Sequence, residues 1–312
     1  MMNSSIPRCE VVPMSDDSVR FQIDGRHVTS WHFSEDAPRP FFYPLRGPGD
    51  TELTRMGHPG APNHDHHRSV WFAHHKVLGI DFWGDLTDAV IRQSQWLAYE
   101  DGNEEARMGV KLLWQDGHDP SPLLQQTLLV AVIPQPQDQW ILELQSTWMP
   151  NSEEIELEKT NFGMIAVRVA RSISAVFGKG KLQDSHGRIG ERAIFGKRAE
   201  WMDYSGPARC GGAKSERVVG VTLFDHPQNV GYPCHWHVRD DGWMGASVGF
   251  DGPIQIRKTA PLVLRYQLLV HDGECDAKAN KECLQAFANR PPLTLVTRPA
   301  PHHHYGITRT GI

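Results

Sequence analysis

Histidine is the residue type in this chain with the widest chemical range, and its distribution is uneven. The 312 residues include 17 histidines, six of them between His58 and His75 and three between His226 and His237. An imidazole can exchange a proton near neutral pH or offer a neutral nitrogen to a metal ion. We therefore expect a functional site in one or both of these segments.

The first segment holds His64, His66 and His67 in a polar loop, followed by an apolar strand that reaches His74 and His75. Imidazoles at this spacing can supply two metal ligands, or a general acid or base. A nearby aspartate can orient such a histidine through its second ring nitrogen. The segment lacks the fixed geometry of an HExxH motif, so a metal ion stays open, and a solvated histidine-rich loop is the alternative.

The second segment places His235, His237 and Arg239 on one face of a strand, because side chains along a strand alternate with a period of two. Two histidines on one strand face can supply two metal ligands. Arg239 adds positive charge, which disfavours a metal ion and favours recognition of a carboxylate or of sugar hydroxyls by the guanidinium. An ordinary exposed sheet face is the alternative.

Aromatic residues lie among both histidine segments. The chain has ten tryptophans, including Trp83 close to the first segment and Trp236 within the second. A sugar ring needs a flat apolar face against its C–H groups and polar neighbours for its hydroxyls. The combination is typical of carbohydrate binding, although most tryptophans in a soluble chain belong to its core.

Short strands are the elements predicted to position these residues. Residues 19–23 and 27–33 flank Asp24-Gly25, a two-residue hairpin signal. Many further strands and no alternation of strand and helix predict one all-β domain over residues 1–312, a large antiparallel β-sandwich. One late helix is predicted over 276–289, ahead of Arg290-Pro291-Pro292.

Two segments are predicted to lie outside regular structure. Residues 177–212 are poorly periodic, and we interpret them as a long functional loop or lid. Residues 298–312, which contain His302-His303-His304, are predicted to form a flexible tail.

Composition excludes several classes of protein and partner. A hydrophobic fraction of 39% excludes wholesale disorder, and a net charge of −5 disfavours nucleic acid as a partner. The longest apolar run, residues 128–133, is far too short for a membrane span, and no secretory signal is visible. Five scattered cysteines fit reduced thiols, so we expect a cytoplasmic protein. Homo-oligomerisation stays open.

Several sequence runs resemble a known family. They are RPFFYPLRGPG at 39–49, HDHHRSVWFAH at 64–74, GIDFW at 79–83, WMDYSG at 201–206, DHPQN at 225–229, WHVR at 236–239 and LRY at 264–266. Together they resemble the PmoA-like bacterial family of unknown function, which is named after a methane monooxygenase subunit. The resemblance covers residues 33–272 and implies a galactose mutarotase-like β-supersandwich. That monooxygenase subunit is a membrane protein, so its activity is not carried over.

The resemblance and the residue patterns together predict a carbohydrate-active enzyme of lyase, epimerase or hydrolase type that acts on a sugar or glycoside. The predicted catalytic residues are His66, His67, Asp81 and His237. The predicted substrate-binding residues are Arg68, His74, Trp83, Asp225, His226, Asn229, Trp236 and Arg239.

Two alternatives remain. In the first, His66, His67 and His237 hold one divalent metal ion of a metal-dependent enzyme. In the second, the chain is a non-catalytic sugar-binding protein. The enzyme hypotheses with a single site require the two histidine segments to meet in one place.

Overall fold

The computed structural model describes residues 6–58, 64–212, 215–300 and 303–309. It confirms the predicted all-β fold with large antiparallel sheets. The strands are β1 Cys9–Pro13, β2 Ser18–Ile23, β3 Arg26–His32, β4 Phe41–Phe42, β5 Arg46–Gly47, β6 Thr51–Glu52, β7 Val70–His74, β8 Val90–Glu100, β9 Ala106–Gln115, β10 Leu124–Pro134, β11 Trp140–Pro150, β12 Glu154–Leu157, β13 Gly163–Arg168, β14 Lys181–Asp184, β15 Trp201–Arg209, β16 Glu216–Asp225, β17 His235–Arg239, β18 Trp243–Ser247, β19 Ile254–Arg257, β20 Leu262–Asp272, β21 Leu293–Ala300 and β22 His303–Arg309. The helices are α1 Glu191–Ile194 and α2 Ala277–Asn289.

Two eight-stranded sheets form the sandwich. The first has the order β1-β2-β3-β4-β7-β13-β18-β17, and the second the order β14-β15-β16-β20-β11-β10-β9-β8. Their inner faces pack against each other, as shown by the ring of Phe72 on β7, which lies 5.6 Å from Trp148 on β11 and 6.2 Å from Tyr266 on β20. The main hydrophobic core lies between the sheets.

The predicted hairpin and the predicted late helix are both present. Asp24 and Gly25 have φ angles of 52° and 73°, as a two-residue turn of the type favoured in hairpins requires. In α2, the carboxylate of Asp276 accepts hydrogen bonds from the backbone N–H groups of Lys278 and Ala279, which caps the helix. In the described part of the chain, no helix is both long and apolar enough to cross a bilayer.

The segment 177–212 differs from its prediction as one long loop. It contributes β14, the one-turn helix α1, and the nine-residue strand β15, which pairs with β16 over its whole length. The strand escaped sequence analysis because both of its faces are buried and it contains Gly206 and Pro207, so the alternation typical of a half-exposed strand is missing.

The C-terminal segment is an ordered hairpin rather than a flexible tail in its described part. Strand β22 pairs with β21, and Ile307 is fully buried. The guanidinium of Arg309 donates hydrogen bonds to the carboxylates of Glu105 and Glu143, 2.7 and 3.0 Å away. These partners lie more than 160 residues away in the sequence, and so the local composition alone suggested a tail.

Candidate functional site

The outer face of the first sheet carries a row of aligned residues across five strands. The register places Phe41, Trp71, Ala166, Gly245 and His237 next to one another on β4, β7, β13, β18 and β17. Ala166 on β13 and Gly245 on β18 are the small residues of this row. A Cβ on Gly245 would lie 3.5 Å from the indole of Trp243, an ordinary van der Waals distance, so the indole packs directly over this part of the sheet.

Trp243 is the residue on which the two histidine segments meet. The ring of His67, from the first segment, stacks on its indole with centroids 4.4 Å apart. The ring of His237, from the second segment, meets the same indole with centroids 5.7 Å apart. Trp71 and Trp83 lie 5.2 and 5.4 Å away. We call these five residues the Trp243 cluster.

A rim of half-buried histidines and phenylalanines surrounds the buried Trp243 cluster. His66 lies 4.4 Å and His64 5.2 Å from His67, measured between ring centroids. Phe162 and Phe195 lie 4.7 and 5.3 Å from His237 on the other side. Phe195 belongs to segment 177–212, so part of that segment borders the site as predicted, although it is not one long loop.

Burial keeps the cluster's imidazoles neutral at physiological pH. It lowers the pKa of His66 to about 4, with help from the positive charge of Arg39. It lowers the pKa of His237 to about 4 as well, with help from Arg239. The pKa of His67 falls still further, because burial acts together with His66 and Arg168. These groups can accept protons at neutral pH, but they cannot donate them as imidazolium acids.

The carboxylates next to the cluster are held as anions by arginines. Burial raises the pKa of Asp241, but a 2.6 Å hydrogen bond from Arg168 and the arginine's charge outweigh burial and lower it. Asp85 follows the same pattern between Arg68 and Arg39, whose nitrogens lie 2.8 and 3.0 Å from its oxygens. Neither carboxylate is a proton donor at neutral pH.

Several buried polar atoms of the cluster have no hydrogen-bond partner among the described residues. They are the indole N–H groups of Trp71, Trp83 and Trp243 and Nδ1 of His67. A buried polar group without a partner costs roughly 1–3 kcal/mol, and such groups are rare in folded proteins.

Six predicted site residues lie in or beside this cluster: His66, His67, Arg68, Trp83, His237 and Arg239. Asp81 lies at its edge. Its Oδ1 accepts hydrogen bonds from the backbone N–H groups of Trp83 and Gly84, and its Oδ2 lies 3.8 Å from Nε2 of His75. The contacts of Asp81 therefore fix the loop that presents Trp83.

His74 and Trp236 lie on the opposite, inner face of the same sheet, so their prediction as substrate-binding residues is corrected. His74 is fully buried and follows Val70 and Phe72 at the strand period of two. Trp236 is also fully buried, and its indole N–H donates to the backbone oxygen of Ala199, 2.8 Å away. Their neighbours in the sequence, Ala73 and His237, lie on the outer face.

Asp225, His226 and Asn229 belong to a different, structural cluster at the end of β16 on the second sheet. Asn229 donates to the carboxylate of Asp225 at 2.7 Å, and His226 Nε2 lies 2.9 Å from a nitrogen of Arg265. Burial raises the pKa of Asp225 to about 6. These residues stabilise the connection from β16 to β17, so their prediction as substrate-binding residues is corrected.

The metal hypothesis gains no support from the geometry. Among the residues that the structure describes, no group of three or more His, Cys, Asp or Glu side chains is placed to hold a metal ion. The predicted set of His66, His67 and His237 is therefore not placed to hold one metal ion.

The model of a protein family of unknown function, DUF6807, matches residues 18–285. The chain belongs to this family. The match agrees with the predicted resemblance to a family of unknown function, but it does not carry the PmoA-like name. A search of curated proteins finds no match.

Two solved structures resemble this DUF6807 chain distantly. A GalM/aldose epimerase homologue from C. elegans is 9% identical, with a TM-score of 0.35, over 86% of this chain and 99% of its own. A 4-alpha-glucanotransferase from Thermococcus litoralis is 7% identical, with a TM-score of 0.29, over 86% of this chain and 40% of its own. Similarities this distant carry no argument about activity.

Sequence analysis missed several residues in or beside the site, among them Arg168, Asp241 and Phe162. Arg168 is the lone charged residue of the otherwise apolar strand β13, and a fully buried arginine there is a signal that could have been noticed. Asp241 follows two residues after Arg239 in the turn from β17 to β18. Phe162 precedes β13 in a segment without any motif, and nothing in the sequence pointed to it.

Proposed function

We propose that this DUF6807 chain is a carbohydrate-active enzyme whose active site is the Trp243 cluster with its histidine rim. The observation that carries the proposal is the meeting of the two histidine segments on the indole of Trp243, through His67 and His237, which are 170 positions apart in the sequence. The buried indoles position the imidazoles, and the half-buried rings of the rim, among them His66, Phe162 and Phe195, supply apolar faces for the C–H groups of a sugar. The imidazoles and the arginines beside them supply partners for its hydroxyls.

The protonation states favour a lyase or epimerase over a hydrolase. Acid-catalysed glycoside cleavage needs a protonated group beside the leaving oxygen. With a pKa near 4, His66 and His237 are neutral at pH 7, and Asp85 and Asp241 are anions. Abstraction of a proton from a sugar carbon needs an unprotonated base instead, and these histidines are unprotonated at pH 7, although the burial that lowers their pKa also lowers their basicity.

His237 is best placed to act as that base. Its Nδ1 lies 3.2 Å from the backbone oxygen and 3.5 Å from the side-chain nitrogen of Asn161. The shorter contact favours the Nδ1–H tautomer, which donates to this carbonyl. The lone pair is then on Nε2, as in other sites where a carbonyl fixes the tautomer of a catalytic imidazole. Asn161 is accordingly a positioning residue.

The proposal predicts that Trp243→Phe weakens sugar binding about tenfold, because the buried indole holds both His67 and His237 in place and a smaller ring leaves them less well positioned. Binding is measured by tryptophan fluorescence during titration with methyl hexosides and methyl uronates. Trp148→Phe is the matched control, since Trp148 is also fully buried with an unpartnered indole N–H but contacts Phe72 of the inner core. Equal affinities in both variants would exclude Trp243 from the sugar site.

A further inference from the structure

Arg168, Trp243 and Arg239 form a second row on the outer face of the first sheet. The register of β13, β18 and β17 places the two arginines on either side of Trp243. Neighbouring strands lie about 4.8 Å apart, so both guanidinium groups originate next to the indole on which His67 stacks. This row therefore sets two cations beside the proposed sugar site.

Arg239 has one open edge. Its Nη1 donates to a carboxylate oxygen of Glu191 and to the backbone oxygen of Val238, both 3.2 Å away. Its Nε and Nη2 make no hydrogen bond to any residue in the described ranges. The guanidinium carbon lies 4.7 Å from the ring centroid of Phe195, which holds the group in place. An Nε/Nη2 edge matches the two oxygens of a carboxylate.

The contact between Arg239 and Glu191 is weak enough to allow a ligand to compete. Both side chains are more than a third exposed, at 42% and 35%. Exposed ion pairs contribute little, because water screens them. A ligand carboxylate can therefore bind the open edge without first breaking a strong internal contact.

Arg168 places a second positive charge beside the Trp243 cluster, in the buried part of the sheet. Its side chain is fully buried, and Nη1 binds the carboxylate of Asp241 at 2.6 Å. Its Nε and Nη2 are buried without a partner among the described residues. Arg55 faces the same aspartate, because its Nη2 donates to the Asp241 backbone oxygen at 3.1 Å. Two arginines therefore contact Asp241 beneath the site, Arg168 at its carboxylate and Arg55 at its backbone oxygen.

We propose that the sugar bound at the Trp243 cluster carries a carboxylate, as a uronate does, and that the open edge of Arg239 binds it. This inference rests on the proposed function, because it takes the Trp243 cluster to be a sugar site. The preferred substrate class is then a sugar that carries a carboxylate group.

A uronate also gives the neutral base a suitable proton. Arginine contact with the carboxylate stabilises the negative charge that develops when the C5–H bond breaks. The proton passes to Nε2 of His237, and the electron pair is delocalised into the carboxylate. In an elimination, the pair then forms the C4=C5 bond, the C4–O4 bond breaks, and the leaving O4 takes the proton that Nε2 of His237 has just accepted.

The test compares methyl glucuronoside with methyl glucoside, and methyl galacturonoside with methyl galactoside, as probes in fluorescence titrations. The wild-type chain is expected to bind the uronates at least tenfold more tightly. Arg239→Gln should remove this preference, because it should weaken the binding of the uronates at least tenfold more than the binding of the neutral sugars. Arg239→Lys should keep part of it, and Glu191→Gln should strengthen uronate binding by removing the competing carboxylate. Arg257→Gln, an exposed arginine paired with Glu154, is the matched control.

The outcomes separate this inference from the proposed function. Neutral and acidic sugars that bind equally well, with no effect of Arg239→Gln, would overturn the uronate assignment while the sugar site stands. Equal binding of methyl glucoside 6-sulfate and methyl glucuronoside would overturn the carboxylate in favour of anions in general. If neither kind of sugar binds, both proposals fail.

Discussion

His237→Gln is expected to lower the turnover of the sugar substrate by about 10²–10⁴-fold, with little change in KM, because loss of a general base has this magnitude. Glutamine keeps the size and hydrogen bonding of the imidazole but cannot accept a proton. The readout is exchange of the C5 hydrogen for deuterium, or product formation, followed by NMR. His235→Gln is the matched control, since His235 lies on the same strand face but binds Asp251, 2.9 Å away.

The pH profile gives this prediction a second readout. A base is active when it is deprotonated, so turnover should rise as pH increases through about 4 and stay level between pH 6 and 8. A rate that falls between pH 6 and 8 would show that an acid with a pKa in that range is needed, and would contradict the assignment of a neutral base. Sugar binding without any exchange or product would favour the non-catalytic alternative.

Acidification is expected to destabilise the fold strongly between pH 6.5 and pH 4. Burial lowers the pKa of His74 from 6.5 to about 4, and His237 behaves in the same way. The unfolded chain therefore binds these protons at a higher pH than the folded chain does, and the free energy of unfolding falls as pH drops through this window. Each histidine contributes about 3 kcal/mol between pH 7 and pH 4.

His74→Asn isolates one of these contributions. The asparagine oxygen can replace Nδ1 of His74, which accepts a hydrogen bond from the backbone N–H of Lys76 at 3.1 Å, but it does not titrate. In urea unfolding at pH 7 and pH 4, the variant should lose about 3 kcal/mol less than the wild type. An identical loss would contradict the assignment. The measured quantity is the change in the free energy of unfolding between pH 7 and pH 4. A loss of stability that is equal at both pH values does not affect this difference.

One buried histidine acts in the opposite direction. Burial lowers the pKa of His271, but the charge and hydrogen bond of Asp203, 2.8 Å away, outweigh burial and raise it. Its stabilising contribution is present below the ordinary pKa and is lost as pH rises through the folded-state pKa. Below pH 6.5 this contribution is present and nearly constant, so His271 does not alter the acid sensitivity that His74 and His237 set between pH 6.5 and pH 4.

The sequence was sufficient for the class of fold and for the location of the site. Strand patterns predicted the all-β sandwich, Asp24-Gly25 predicted the β2–β3 hairpin, and the two histidine segments pointed to a single site at which they do meet. These features depend on local turn chemistry and on residue type, both of which a single sequence records.

The choice of sheet face could not be predicted. Every residue of β7 is buried, and so are the middle residues of β17. The period of two says which residues share a face, but it cannot say which face lies toward the core when both are buried. For this reason the sequence alone predicts site positions for His74 and Trp236, which point to the inner core. Their neighbours Ala73 and His237 lie on the outer face.

Long-range contacts were also beyond the sequence. Asp225, His226 and Asn229 come shortly before β17 in the chain, but β16 belongs to the second sheet, and the motif does not record that crossover. Likewise, the contacts of Arg309 with Glu105 and Glu143 become visible only in the folded chain.

The central claim is that His67 and His237 belong to one sugar site on Trp243. Its most direct test is ¹⁵N NMR of the histidine imidazoles during titration of the chain with methyl glucuronoside. We predict that the ring signals of His67 and His237 shift together along one binding curve, while the signal of His74 on the inner face stays in place. A shift of only one of the two, or a larger shift of His74, would contradict the account.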